Sequence, residues 1–420
     1  MSATIDRHSL DLPPPGPRPP CWDHWRWLRD AHLATDPGLA QLAAAFPPLA
    51  VDVAHQLGLL LPDGPGTLTH PDPTRAVYGD GTLVRPLYQP PQSVRITQED
   101  GTTTVAYPDP RTGVLREAPA GRFDSDLQLH HGLLGPVQTH GYVCWHARGP
   151  ERYQRVVLAA DHIPVPGAEA ATAVTLLGSV HRAAGPGVQA VVYDGALHGV
   201  HIDQVMRRYG YLVVTKLPTA DTGADVEAAP LVLNDRGRRA RSYPLGAATH
   251  QLPTGPCIHQ LATIAGRVVE VGLDETGDPV VMGDLTRGAV KRFRRTHGGY
   301  HFNVGYRLDC PNEPFTLWLT PHAEDDPRRP QNLRVISQQD PDFPRLYGLR
   351  NDAESFHSNL KRTLLVDRAM SLGWRRGLVD VYCFALLNNA LTEAAAQARA
   401  EDAQRAPGRT TVSRRSSWAG

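Results

Sequence analysis

Between Tyr347 and Lys361 the chain reads YGLRNDAESFHSNLK, and its ionisable residues keep a helical period. At about 100° per residue, Tyr347, Arg350, Glu354 and Lys361 fall within about 60° of one another. Leu349, Ala353, Phe356, Leu360 and Leu364 fill an opposite band of about 80°. Such a helix buries one side and presents on the other a carboxylate flanked by cations. Two further acids hold informative positions: Asp80 in VYGDGTLVR, inside an apolar strand pattern, and Asp194 at the end of AVVYDG. Three carboxylates gathered in one crevice suit two Mg²⁺ or Mn²⁺ ions, which prefer oxygen ligands. Two such ions can clamp the attacking and leaving oxygens of an in-line phosphoryl transfer, so the implied chemistry is hydrolysis or exchange of phosphodiesters. Each acid also has a plain structural reading. Asp80-Gly81 is a hairpin-turn dipeptide, Asp194-Gly195 can end a strand and cap a helix, and Glu354 can make an ordinary ion pair with Arg350 one turn earlier.

The elements that must position these residues can be read from period and punctuation. RAVYGDGTLVRPLYQ (Arg75 to Gln89), VQTHGYVCWHARG (Val137 to Gly149) and YQRVVLAADHI read as three strands. AEAATAVTLLGSVHRAA (Ala168 to Ala184) reads as a helix, VQAVVYDG as a buried strand, VHIDQVMRRYG as a helix ended by Gly210, and YLVVTKLP as another buried strand. Three consecutive strands can form an antiparallel meander, whereas strands separated by helices join in parallel through crossovers. The expected fold is α/β: a ribonuclease H-like mixed sheet with helices on both faces, whose parallel strand ends open on the ligand crevice. PLVLND, CIHQLATIAGRVVEVGLD, DPVVMGDL, YHFNVGYRLD, FTLWLTP and LRVISQQ then predict a β-rich insertion ahead of the Glu354 helix. The expected division is a disordered Pro-rich leader (1–21), short helices interrupted by Pro47-Pro48 (22–70), the first part of the core (71–218), the insertion (219–340), C-terminal core helices (341–405) and a disordered tail (406–420). No helix-turn-helix is evident in the N-terminal part.

With these motifs together, the chain resembles the DDE transposases of bacterial insertion sequences, in the branch with a β-rich insertion before the glutamate. That branch carries Tyr, two residues, Arg, three residues, Glu, six residues, Lys; Tyr347, Arg350, Glu354 and Lys361 keep those spacings. VVYDG and the DGT at Asp80 supply the other two motifs, and the resemblance runs from about Arg75 to Ala396. It implies that Asp80, Asp194 and Glu354 are the catalytic ligands of two Mg²⁺ or Mn²⁺ ions. It also implies that Tyr347, Arg350 and Lys361 hold phosphates of the transposon end. The activity implied is cleavage at the terminal inverted repeats and strand transfer into target DNA, in a homodimeric end-paired complex. Asp124 and Asp126, in GRFDSDLQLHHG, compete with Asp80 for the first position. A nuclease on the same fold and a non-catalytic DNA-binding remnant are the alternatives.

Composition sets the surroundings. The 420 residues are 41% hydrophobic, enough for a substantial core. No apolar run of membrane-spanning length or secretion signal is evident, and five scattered cysteines suggest no disulfide framework, so a reducing cytosol without membrane contact is expected. Basic and acidic residues balance at 43 each, which argues against a global electrostatic grip on nucleic acid. RGRRAR (Arg236 to Arg241) and KRFRR (Lys291 to Arg295) are local clusters that could meet a DNA backbone, and RRSSW lies in the tail. Trp145 is expected in the core. Cys257, His259, His297, His301 and Cys310 could in principle collect zinc. Their spacing does not match a paired-cysteine site, so buried thiols and solvated histidines are expected instead.

Overall fold

The computed structural model describes residues 21–405 apart from 88–93, 98–102, 109–111, 118–123, 125–126, 133–134, 152, 218–230, 234–238, 254, 325 and 367. The expected leader up to residue 20, Asp126, residues 236–238 of the first basic cluster and the polar tail lie outside the described residues.

The central sheet grows around β1 (Ala76–Val84), whose Ala76, Val77 and Tyr78 are fully buried. After it come a small antiparallel sheet of β2 (Val94–Thr97), β3 (Thr103–Pro108) and β4 (Leu115–Glu117), then β5 (Gln128–Gly132), β6 (Gly135–Arg148) and β7 (Arg155–Ile163). The β2–β4 sheet was not foreseen; it falls between two segments read as consecutive strands. β6 lies antiparallel between β1 and β7, and β5 pairs with its N-terminal half. On the other flank β8 (Ala190–Val192) runs parallel to β1, and β9 (Leu212–Val214) parallel to β8. The expected meander followed by parallel strands is present, giving a mixed α/β sheet. Its parallel strands are buried throughout, as strands covered on both faces must be.

Two helices precede the sheet: α1 (Trp22–Leu28) and α2 (Asp36–Gln56). Pro47 and Pro48 do not interrupt α2, contrary to the reading of short broken helices. Each proline removes an amide donor inside the helix, at roughly 3 kcal/mol. Buried Phe46, Ala50, Val51 and Ala54 pack this helix into the core and outweigh that cost. One sheet face carries α3 (Glu169–Ala184), fixed by the Trp145 indole donating to the Ala173 carbonyl at 2.9 Å, so Trp145 is a core residue. α4 (Gly199–Tyr209) stops at Gly210, whose φ of 70° is the left-handed cap anticipated there.

The described residues between 231 and 319 are mostly strands. β10 (Leu231–Leu233), β11 (Arg239–Arg241), β12 (Tyr243–Leu252), β13 (Gly255–Ile264), β14 (Arg267–Leu273) and β15 (Pro279–Asp284) form one sheet. β16 (Thr286–Arg294), β17 (Tyr300–Leu308) and β18 (Phe315–Leu319) form another. LRVISQQ, read as a strand, is not one: Leu333, Val335 and Ile336 are buried without joining a ladder, because they fill the core as side chains of an irregular segment. A helical run follows, comprising α5 (Asp342–Tyr347), a 3₁₀ turn at Gly348–Arg350, α6 (Asn351–Asn359) and a π turn at Leu360–Leu364. α6 packs on the sheet face opposite α3, where the Phe356 ring meets His146 at 5.1 Å.

The last helix, α7 (Trp374–Arg405), runs along β7. Asn389 both accepts from the Val157 amide and donates to its carbonyl, each at 2.8 Å. Asn388 and Thr392 donate to the Arg155 carbonyl, and Tyr382 to that of Ala160. Side chains thereby take the outward backbone groups of an edge strand. Among the described residues no helix is long and apolar enough to cross a membrane.

Candidate active site

The ladder carries two of the acids to the same end of the sheet. The last rung shared by β1 and β8 joins Tyr78 to Val192. Asp80, still in β1, and Asp194, just past the end of β8, each lie two residues beyond it, so by the period of 2 both leave the same face. Asp80 is no hairpin residue, because the β1–β6 ladder continues through it, opposite Cys144, to Val84. Its flanking glycines have a packing reason. A Cβ on Gly79 would stand 2.5 Å from the Trp145 and Tyr193 rings, and one on Gly81 would stand 2.4 Å from Glu169. Asp194 shapes the chain leaving β8: its Oδ1 accepts from the Ala196 amide at 2.9 Å, while its carbonyl accepts from the Thr215 hydroxyl.

The expected helix faces are present. Ala353, Phe356 and Leu360 are buried, and Leu349 and Leu364 half-buried. On the other side Arg350 spans two acids, its Nη1 3.0 Å from Asp80 Oδ1 and its Nη2 2.6 Å from Glu354 Oε1. The Arg350 and Asp80 side chains are nearly closed off at 12% and 13% exposure, whereas Glu354 is 52% exposed. The plain i−4 pair is therefore real, but it belongs to a three-residue chain that reaches the sheet. Arg350 also lies over the Tyr347 ring at 5.6 Å, and Lys216, which the sequence did not single out, lies over the same ring at 5.1 Å. Tyr347 stacks on Phe343 at 4.9 Å. Lys361 follows Glu354 by about two turns and is half-buried, at the first turn of the π segment.

Burial pushes the Asp80 carboxyl up to about 7; Arg350 opposes this, and the charges of Asp194, Glu354 and Glu169 add to it. Both other predicted acids therefore act on Asp80 across this crevice. Glu169, in the first turn of α3, is a fourth acid that sequence reasoning missed. Its carboxyl is raised by burial, and its Oε1 accepts from the Tyr193 hydroxyl at 2.9 Å. An acid at a helix start is too common to mark a site; only the fold brings it close. His357, also missed, donates from Nε2 to the Asp80 carbonyl at 3.2 Å and clamps the helix to β1. Burial holds its imidazole far down, at about 3, so that it stays neutral. Behind Asp80, buried Cys144, His146 and His357 bring ligand atoms within 4.8 Å of one another.

Asp124, the other described candidate for the first acid, is engaged by its own partners. Its Oδ2 lies 2.6 Å from His140 Nε2 and accepts from the Gly373 amide at 2.8 Å, which makes it a buried structural clamp. In the second basic cluster Lys291 lies over Trp318, Arg292 donates to the Gly210 carbonyl and Arg295 pairs with Glu324.

The donor set is made of carboxylate oxygens, and Asp80's tendency to retain a proton comes first from burial, with Arg350 opposing it and the neighbouring acids adding to it. Hard divalent cations suit such oxygens. Neither a protein-family model nor a curated protein sequence matches the chain.

Proposed function

We propose that the protein is a DNA transposase with a ribonuclease H-like core, cutting DNA at the ends of a mobile element and joining them to a target. The observation carrying this reading is that Asp80 in β1 and Asp194 just past β8 each follow the last rung of the parallel β1–β8 ladder by two residues, with Glu354 tied to Asp80 through Arg350. The strand order β7-β6-β1-β8-β9, with two antiparallel pairings followed by two parallel ones, supports it.

Asp80, Asp194 and Glu354 would hold Mg²⁺ or Mn²⁺, which when bound stabilise charge on the attacking and leaving oxygens of phosphoryl transfer. Arg350 keeps the acids from repelling one another before metal binds. Tyr347, Arg350 and Lys361 on the exposed helix side, with Lys216 beside Tyr347, line the approach of a polyanion and position its phosphates. A homodimer would bring two ends together.

The test uses the native locus with its flanking DNA on a plasmid, incubated with purified protein and Mg²⁺. Wild type should nick at inverted repeats bordering the gene and join the freed 3′ ends to a second plasmid. Glu354→Gln should abolish nicking while leaving DNA binding nearly intact. Equal cleavage by the two proteins refutes the assignment, and cutting without joining favours a nuclease.

A further inference from the structure

The β-rich segment holds a cluster that the phosphoryl-transfer site does not use. Cys257 and His259 alternate along β13 and so share a face. Cys310, just past β17, comes from the other sheet to meet them. The two sulfurs are 3.8 Å apart, and Cys257 Sγ is 3.3 Å from His259 Nε2. A tetrahedral ion with metal–sulfur bonds of about 2.3 Å has sulfur–sulfur edges of about 3.8 Å.

The surroundings are those of a ligand set. His259 Nδ1 lies 2.6 Å from Glu270, which fixes the tautomer that leaves Nε2 facing the sulfurs. Backbone amides of Glu313 and Asn312 bond Cys310 Sγ, and His250, opposite Cys257 on β12, keeps a buried Nδ1 without a hydrogen-bond partner beside the three residues whose ligand atoms lie within 4.8 Å of one another. The Phe315 ring packs 4.4 Å from His250 and 5.7 Å from His259, closing the cluster with an apolar wall. His301, grouped with these residues in the sequence reading, faces His322 and Glu324 instead.

We propose that Cys257, His259 and Cys310, completed by His250, form a structural zinc site that ties the two β-sheets of this segment together. Two thiol protons leave to solvent as the ion binds. The cluster behind Asp80 is the weaker candidate. It has a single thiol, and His357 Nε2 is committed to a carbonyl.

The full chain, purified without chelator, should carry about one zinc per molecule by elemental analysis. Cobalt exchanged into it should give tetrahedral visible bands and a sulfur-to-metal charge-transfer band. Cys257→Ser and Cys310→Ser should lose the metal, whereas Cys144→Ala should keep it. Because the serine variants can also misfold, a mercurial titration of wild type provides a second measurement, in which zinc should leave as two thiols react. Chelation should lower the melting temperature by several degrees. Absence of zinc and of a cobalt spectrum, retention of metal in both serine variants, loss in Cys144→Ala, or a native Cys257–Cys310 disulfide by mass spectrometry would each overturn the proposal.

Discussion

Arg350 stands among Asp80, Asp194 and Glu354, and the balance of these charges sets how Asp80 answers to pH. An isolated aspartate ionises near 3.8, whereas burial, with Arg350 opposing and the other acids adding, raises Asp80 to about 7. Between those values the folded chain holds a proton that the unfolded chain has released, so this group's contribution to stability falls as pH rises through the window. Asp80→Asn removes the charge. The metal-free variant should be more stable than wild type at pH 8, by on the order of 1–3 kcal/mol, and nearly equal to it at pH 4. Urea denaturation at the two pH values checks this, and the opposite ordering counts against a raised carboxyl. Mg²⁺ needs the anion, so its protection against heat should strengthen as pH rises through about 7 in wild type and vanish in Asp80→Asn. Lys361→Ala should weaken DNA binding and lower the slope of log affinity against log salt by about 1; an unchanged slope argues against a phosphate contact. Gly79→Ala forces a methyl between the Trp145 and Tyr193 rings and should cost roughly 1–3 kcal/mol by chemical denaturation.

α2 and the strands mark where local sequence decides structure and where packing does. β-Branched and aromatic content located β1, alternation located β6 with β7 directly after it, and Gly210 located the end of α4, because those signals are contained in a few neighbouring residues. Pro47 and Pro48 misled because their cost is local while the compensation lies in buried contacts of Phe46, Ala50 and Val51 with distant elements. Exposed Pro48 contributes no such burial. Pro48→Ala should therefore restore an amide donor and raise stability by about 1–3 kcal/mol, read as a higher melting temperature. A lower one would mean that the proline fixes a bend the core requires. The helix bearing Glu354 was legible to its faces, since Tyr347, Arg350 and Glu354 need only rotation along one element. Glu169, His357 and the meeting of Cys257 with Cys310 were not, since each depends on the approach of elements far apart in the chain.

Across the molecule, Arg287 joins three regions. From β16 it bonds Asp340 at 2.7 Å and Asp342 at 2.7 Å, at the entry of the helical run, and it donates to the Thr69 carbonyl ahead of β1. The three side chains are at most 10% exposed. Removing the guanidinium takes from buried Asp340 its cation and from Asp342 one of its three partners, so Arg287→Ala should cost about 3–5 kcal/mol, and nicking by the proposed transposase should fall with it. Unchanged denaturation midpoints would sink that reading. Asp342 is buried, yet hydrogen bonds from Arg345, Arg287 and His70 hold its carboxyl below the usual range, so its stabilisation is present at neutral pH and is lost as pH drops through that lowered value. At the opposite flank, the clasp of Asn389 on Val157 bears on assembly. The β7 edge, hemmed by amide side chains, offers no open rail for a second molecule's strand. In the proposed transposase two copies would therefore not join along β7, and Asn389→Ala should unpick that hem and promote self-association, visible as a rise in light scattering.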